Sequence, residues 1–307
     1  MKYFVVSDIH SFYTELKNAL KSAGFDKKNK NHTLIVCGDV FDRGKETIEV
    51  YKFLTSIPKS RCVLVKGNHE YLYEELLDKR FPDSYDFSNH TVDTFCHIAG
   101  YSAEVMQADY WYKLGEENVY ERIQQTWKEI LAEVKQSKIT EWIKGSQWKN
   151  YFELDKYIFV HSFIPVRNID CMPAWYINNR RFEYFKDWRE SATDLEWYES
   201  TWGCPYQMWL DGYFKEPNKV LVCGHWVVTE FRQYVNNKWS DDTSIYKYEN
   251  LIGLDCGVWK YKGTSQYVHP QNVLVIDDKD FNLLTDQYGT ELEEETSVPR
   301  IETVTIK

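Results

Sequence analysis

Apolar residues arrive along this chain in two rhythms. Short runs of β-branched and aromatic residues at Lys2–Val6, Thr33–Cys37 and Cys62–Val65 read as strands. Between them Phe12, Leu16, Ala19, Leu20 and Ala23 recur at helical spacing up to Gly24, a residue suited to closing a helix. Ile48, Tyr51, Phe53 and Leu54 repeat that rhythm until Pro58 ends it. Strands alternating with helices at about 30 residues per unit predict parallel βαβ pairing. Such crossovers are nearly always right-handed, so the carboxyl ends of these strands fall on one edge, where ligands of open α/β sheets gather.

The pattern changes after Tyr71. Residues 71–150 are rich in Tyr and Trp, and Glu116–Lys138 carries Val119, Ile123, Trp127, Ile130, Leu131 and Val134 on a helical period. This predicts a mainly helical insertion or cap. Strand character returns at Tyr157–Val160, Val220–Cys223, Leu251–Leu254 and Val273–Ile276. The stretch from His161 to Lys219 is long, aromatic and irregular, as functional loops often are. From Gly289 the chain turns acidic (Glu291, Glu293, Glu294, Glu295), so residues 1–288 are expected to form the folded domain and 289–307 a solvated tail.

Composition narrows the function. Lys and Arg total 37 against 47 Asp and Glu, a net charge of −10, which excludes general attraction to nucleic acid or an anionic membrane. A phosphate-bearing ligand then needs a local positive site. With 43% hydrophobic and 27% charged residues, the chain belongs with folded globular proteins rather than disordered ones. No apolar run approaches the roughly 20 residues of a membrane span, and the N-terminal run is too short for a signal-peptide core. Seven cysteines, widely spaced and without a Cys-x-x-Cys pair, point to reduced thiols and a cytoplasmic setting. Cys37, Cys223 and Cys256 lie in or beside strands and are expected as small buried hydrophobes. The oligomeric state is left open.

Five of the apolar runs end in residues that can ligate a metal. They are Asp8-Ile9-His10, Gly38-Asp39-Val40-Phe41-Asp42-Arg43-Gly44, Gly67-Asn68-His69-Glu70, His161, and Gly224-His225. Taken singly, most of these have an ordinary structural reading: a loop cap, a turn before a helix, a hydrogen-bonded core histidine. Their shared position decides otherwise, because side chains at the rim of one sheet can converge on one point. Mixed Asp, Asn and His donors favour Mn, Fe, Zn or similar ions over an all-oxygen calcium cage. His90, His97 and His269 have no such partner pattern, and Asp255 reads either as a residue orienting a ligand or as a turn.

These motifs resemble those of the calcineurin-like metallophosphoesterases, in particular the phosphoprotein phosphatase branch. Gly38–Gly44 and Gly67–Glu70 are similar to the family motifs in full, and Leu254-Asp255-Cys256-Gly257 is similar to its late Asp-Thr-Gly. Ser7, Ser11 and Ser162-Phe163 depart from the pattern beside ligands without replacing one. Nuclease and cyclic-nucleotide phosphodiesterase branches carry Gly-His-x-His, where this chain has Val227.

The resemblance implies an α/β fold, a two-sheet β-sandwich flanked by helices with residues 71–150 as a helical insertion. It implies two divalent ions, with manganese the first choice and iron, zinc, nickel or cobalt the alternatives. One ion would be bound by Asp8, His10 and Asp39, the other by Asp39, Asn68, His161 and His225. A solvent molecule activated by both ions would attack phosphorus. Arg43 would hold phosphate oxygens, and His69 would protonate the leaving oxygen with Asp42 orienting its ring. A second phosphate-binding arginine is expected between the last two histidines; Arg189 is chosen, with Arg167, Arg180 and Arg181 as alternatives. The implied activity is hydrolysis of phosphomonoesters, first of phosphoserine or phosphothreonine in proteins, with a small phosphoester also open. Hydrolysis of dinucleoside polyphosphates of the diadenosine tetraphosphate type is the alternative, and a non-catalytic metal- or phosphate-binding module the further one. Neither a membrane nor nucleic acid is expected as partner.

Overall fold

The βαβ rhythm of the first 70 residues folds as expected. The computed structural model describes residues 1–168, 182–258 and 270–278, and the backbone of 302–304. Its strands are β1 (Lys2–Val6), β2 (His32–Cys37), β3 (Cys62–Val65), β4 (Trp148–Lys149), β5 (Phe152–Glu153), β6 (Tyr157–Phe159), β7 (Arg167–Asn168), β8 (Phe182–Glu183), β9 (Val220–Cys223), β10 (Tyr246–Tyr248), β11 (Leu251–Gly253), β12 (Val273–Asp277) and β13 (Glu302–Val304). One sheet has the order β13-β12-β1-β2-β3-β4 and a second the order β10-β11-β9-β6-β5, while β7 and β8 form a separate hairpin. β1 through β4 run parallel, as do β6, β9 and β11, so each sheet presents a row of carboxyl ends.

Period-two alternation sorts the side chains into layers. Phe4, Val6, Leu34 and Val36 face the helices outside the first sheet. Val5, Ile35 and Cys37 face inward, meeting Tyr157, Phe159, Val222 and Ile252 from the second sheet. This is the expected two-sheet sandwich. Ile158, Leu221 and Cys223 line the far side of the second sheet, where Trp188, Trp197 and Tyr206 cover them. Cys37, Cys223 and Cys256 are buried, and burial pushes their thiols above the ordinary range, as expected of inert hydrophobes.

The insertion is helical, with the long amphipathic element running Val119–Gln136. It shares the first sheet's outer core: Phe95 stacks on Trp127 at 5.8 Å, both fully buried, and Ile123, Ile130 and Val134 continue the same layer. The irregular stretch after His161 contains short helices at Trp188–Ser191, Asp194–Ser200 and Pro205–Leu210, the second opened by a Thr193–Glu196 capping box. Most of the expected acidic tail falls outside the described residues. Within it, the backbone of Glu302–Val304 pairs antiparallel with β12 at the edge of the first sheet. Among the described residues no helix is long and apolar enough to cross a membrane.

Candidate metal centre

Each parallel strand of the sandwich core delivers its next residues to one seam between the sheets. Asp8 and His10 follow β1, Asp39 follows β2, Asn68 opens the helix after β3, His161 follows β6 and His225 follows β9. The seam is stitched by the backbone: Asp8 N–H donates to Gly38 C=O, His10 N–H to Asp39 C=O, and Gly224 N–H to His161 C=O. Asp8 crosses from one sheet to the other, its carboxylate accepting His225 N–H at 3.0 Å. The turns are tight enough to be strained. Asp8, His10, Asp39, Asp42, Arg43 and His225 all hold positive φ, between 49° and 72°. Non-glycine residues adopt that region at a cost and concentrate there at functional sites. Gly38, at φ +82°, has no alternative, because a Cβ there would sit 2.5 Å from the His161 ring. Ser11 also has positive φ, where the resembled family has glycine; its hydroxyl pairs with Thr47 at 3.0 Å.

All six expected ligands are buried or nearly so, and His10, Asn68, His161 and His225 come together around Asp39. The ligand atoms of Asp39, His161 and His225 lie within 4.8 Å of one another, and so do those of His10, Asp39 and His69. Asp39 Oδ1 stands 3.4 Å from His161 Nε2, and Oδ2 stands 3.7 Å from His10 Nε2 and 3.8 Å from His69 Nε2. Asn68 Oδ1 is 2.8 Å from His161 Nε2, and His225 Nδ1 is 3.2 Å from it. Asp8 stands outside both triplets, with His69 in the group where the sequence reading has Asp8.

The donor chemistry of this cluster fits divalent cations. His161 Nδ1–H donates to Cys37 C=O and His10 Nδ1–H to Phe41 C=O, each at 2.9 Å, which makes each Nε2 the lone-pair atom that points into the seam. His161 Nε2 therefore faces the Asn68 carbonyl oxygen and Asp39 with no proton between them, an arrangement that repels unless a cation enters. Charge tells the same story. Burial, then the repulsion of Asp255, raises the Asp8 carboxyl well above its usual range, and burial with Asp8 and Glu70 does the same to Asp39. Burial pushes His161 down to about 3 and holds His10 and His225 well below the ordinary value, so these rings are neutral, as ligands must be. Asp255 is buried beside Asp8, and its Oδ1 accepts Gly257 N–H at 2.7 Å, the bond expected of the turn reading.

His69 and Arg43 form the other half of the site. His69 Nδ1–H donates to Asp42 Oδ2 at 2.6 Å, while the Arg43 guanidinium donates to His69 Nε2 at 3.1 Å and His10 Nε2 at 2.6 Å. Burial and the Arg43 charge outweigh Asp42 and lower the His69 pKa. The expected pairing of Asp42 with His69 is therefore present.

The choice of Arg189 is corrected. Its guanidinium is clamped between Glu153 (2.8 Å) and Glu216 (2.9 Å) and lies over the Trp188 ring, so its donors are already taken. Arg167 stacks on Phe185 and pairs with Glu196, and Arg180 and Arg181 lie outside the described residues, as does His269. Three roles escaped the sequence reading. Glu70 accepts the N–H groups of Gly67, Asp39 and Val40, tying two ligand loops together. Thr91 and Thr94 hold the Asp42 carboxylate. Glu70 carried a signal in its place three residues after Gly67, the spacing of a capping box; the threonines carried none beyond sharing a helix face. Ser162 donates to Gly203 C=O at 2.6 Å and Phe163 is core, which accounts for that departure from the family pattern.

The family model described as calcineurin-like phosphoesterase matches residues 1–255. Over 70 residues, 23% of this chain and 24% of the relative, the chain is 37% identical to a symmetrical bis(5'-nucleosyl)-tetraphosphatase of Buchnera aphidicola subsp. Acyrthosiphon pisum. Over 76 residues, 22% of this chain and 30% of the relative, it is 33% identical to the asymmetrical bis(5'-nucleosyl)-tetraphosphatase PrpE of Bacillus velezensis. The chain thus matches less than a third of the length of these curated relatives. A solved protein serine/threonine phosphatase of Saccharomyces cerevisiae aligns over 90% of this chain and 72% of its own, with TM-score 0.45 and 13% identity.

Proposed function

The chain belongs to the calcineurin-like phosphoesterase family, and from that premise we propose that it is a two-metal hydrolase of dinucleoside polyphosphates. The observation that carries a two-ion site is the Asp39 carboxylate, which turns one oxygen toward His161 and the other toward His10 and His69. Asp39, Asn68, His161 and His225 would hold one ion; Asp8, His10 and Asp39 the other, with manganese the first choice. Two such ions supply charge neutralisation at phosphorus and a solvent nucleophile active at neutral pH. The remaining steps belong to the chain. Arg43 offers a planar fork to phosphate oxygens, which suits their geometry better than a lysine would. His69 delivers a proton to the leaving oxygen, and Asp42 fixes its tautomer and raises its basicity. The names of the partial relatives move the substrate reading from phosphoproteins toward dinucleoside polyphosphates. The free thiols at Cys37, Cys62, Cys96, Cys204, Cys223 and Cys256 support a reducing, cytoplasmic setting.

The test is a side-by-side measurement on the manganese-loaded protein with diadenosine tetraphosphate, a phosphoseryl peptide and para-nitrophenyl phosphate, repeated after chelation. A kcat/KM highest for diadenosine tetraphosphate and lost with the metal is the expected result. A higher value on the peptide returns the protein to the phosphatase reading. Bound metal without turnover of any substrate makes it a binding module.

A further inference from the structure

Resting on the reading of His69 as general acid, we propose that Thr91 and Thr94 of the insertion are positioning residues that lock the Asp42–His69 pair for proton donation. Both lie on the helix Thr91–Ile98, three residues apart and therefore on one face. Both are fully buried. A buried helical threonine commonly returns its hydroxyl to a carbonyl of its own helix. These two reach instead to Asp42. Thr94 Oγ1 donates to Asp42 Oδ1 at 2.5 Å and accepts Asp42 N–H at 3.0 Å, gripping side chain and backbone together. Thr91 Oγ1 donates to Oδ2 at 2.8 Å, the same oxygen that accepts His69 Nδ1–H.

The consequence is geometric. A carboxylate bonded only to an imidazole can rotate about its Cβ–Cγ bond and present either oxygen. With one lone pair of Oδ1 bound by Thr94 and one of Oδ2 bound by Thr91, the carboxylate plane is fixed and Oδ2 turns its other lone pair to His69 along one line. Asp42 also holds φ 72°, and the Thr94 bond to its N–H keeps the backbone in that strained turn. Val92, Phe95 and Cys96 of the same helix are buried in the first sheet's outer core, so the two hydroxyls ride on a rigid element. The insertion thereby acts on the chemistry through two oxygen atoms.

The test compares full-length, manganese-loaded Thr91→Val, Thr94→Val, the double valine variant, Thr94→Ser and His69→Asn. Its probes are phenyl phosphate, whose leaving oxygen needs a proton, and para-nitrophenyl phosphate, whose leaving oxygen departs without one. Expected are falls in kcat on phenyl phosphate of about tenfold for each single valine variant and about 100-fold for the double, within the range of general-acid catalysis. The loss on para-nitrophenyl phosphate is smaller, KM and metal content stay unmoved, and Thr94→Ser restores the rate. By proton NMR of the zinc-loaded protein, which unlike the manganese form is diamagnetic, the downfield His69 Nδ1–H resonance expected of its 2.6 Å bond to Asp42 shifts upfield in the single valine variants and returns in Thr94→Ser. Equal losses on the two probes, a serine variant as slow as valine, or an unmoved resonance would overturn the proposal. If His69→Asn itself leaves kcat on phenyl phosphate intact, the general-acid reading fails first; a slow His69→Asn beside silent threonine variants overturns the positioning role alone.

Discussion

Glu70 offers the sharpest test of how the ligand loops are held. Its side chain is 2% exposed, with Oε2 accepting Gly67 N–H at 2.7 Å and Asp39 N–H at 3.0 Å, and Oε1 accepting Val40 N–H at 2.9 Å. Glu70→Ala strips three buried backbone donors of their partner. An orphaned buried donor costs about 1–3 kcal/mol. Removing the buried charge relieves part of that, so a net loss of about 3–5 kcal/mol is expected, the range for breaking a buried polar network. Glu70→Gln keeps the shape. Its amide oxygen can still serve Gly67 and Asp39, but its NH2 then meets the Val40 donor, and one charge-assisted bond is lost, about 2 kcal/mol. Urea unfolding followed by tryptophan fluorescence, in chelator and at constant m-value, gives the ranking. The expected order of midpoints is wild type, then Gln, then Ala. An Ala midpoint equal to wild type would refute the reasoning outright. A Gln variant less stable than Ala would show that the isolated donor–donor clash outweighs all three bonds, reversing the assignment of where the energy lies.

Other outcomes follow from the same geometry. Asp39→Asn is expected to empty both metal positions, because one carboxylate serves both triplets; elemental analysis still finding one tightly held ion would contradict the shared role. His69→Asn is expected to keep nearly full metal content while kcat falls about 100-fold or more; loss of metal on the same analysis would make His69 a ligand, as its place beside His10 and Asp39 allows. Burial raises both the Asp8 and Asp39 carboxyls, with Asp255 repelling Asp8 and Asp8 repelling Asp39, so below their folded pKa values protons occupy them and compete with the metal. Apparent metal affinity is therefore expected to rise with pH and binding to release protons, and calorimetry in two buffers of different ionisation enthalpy would detect neither effect if these groups were already ionised.

How much was legible follows from where the strain and the charge sit. The turns after β1, β2 and β9 demand unusual backbone, and few residue types tolerate it. Gly38, Asp39, Asp42, Arg43 and His225 therefore stand out from the Leu, Val and Ile around them before any coordinate is known, and with them the edge on which they meet. Strands of the core were legible for a related reason, being continuous apolar runs buried on both faces. Two-residue edge strands such as β4 and β5 have no such run, and β13 pairs through its backbone, which leaves no composition to read.

Arg189, Thr91 and Thr94 were hidden by a different circumstance. Their partners lie 27 to 52 residues away, and nothing local marks the pairing. An arginine flanked by aromatics looks the same whether its guanidinium meets a phosphate or, as here, Glu153 and Glu216, since either satisfies the same fork. Only the fold decides, by bringing β5 and the Glu216 turn against the helix Trp188–Ser191. The distinction matters for chemistry as well as for prediction. Asp39, Arg43 and His225 sit in strained turns because the backbone must aim them, whereas Thr91 and Thr94, which fix orientation, sit on a relaxed helix and act through hydrogen bonds alone. Asp42 is where the two kinds meet: strained itself, it is gripped from an unstrained helix, and the imidazole it steers inherits that rigidity.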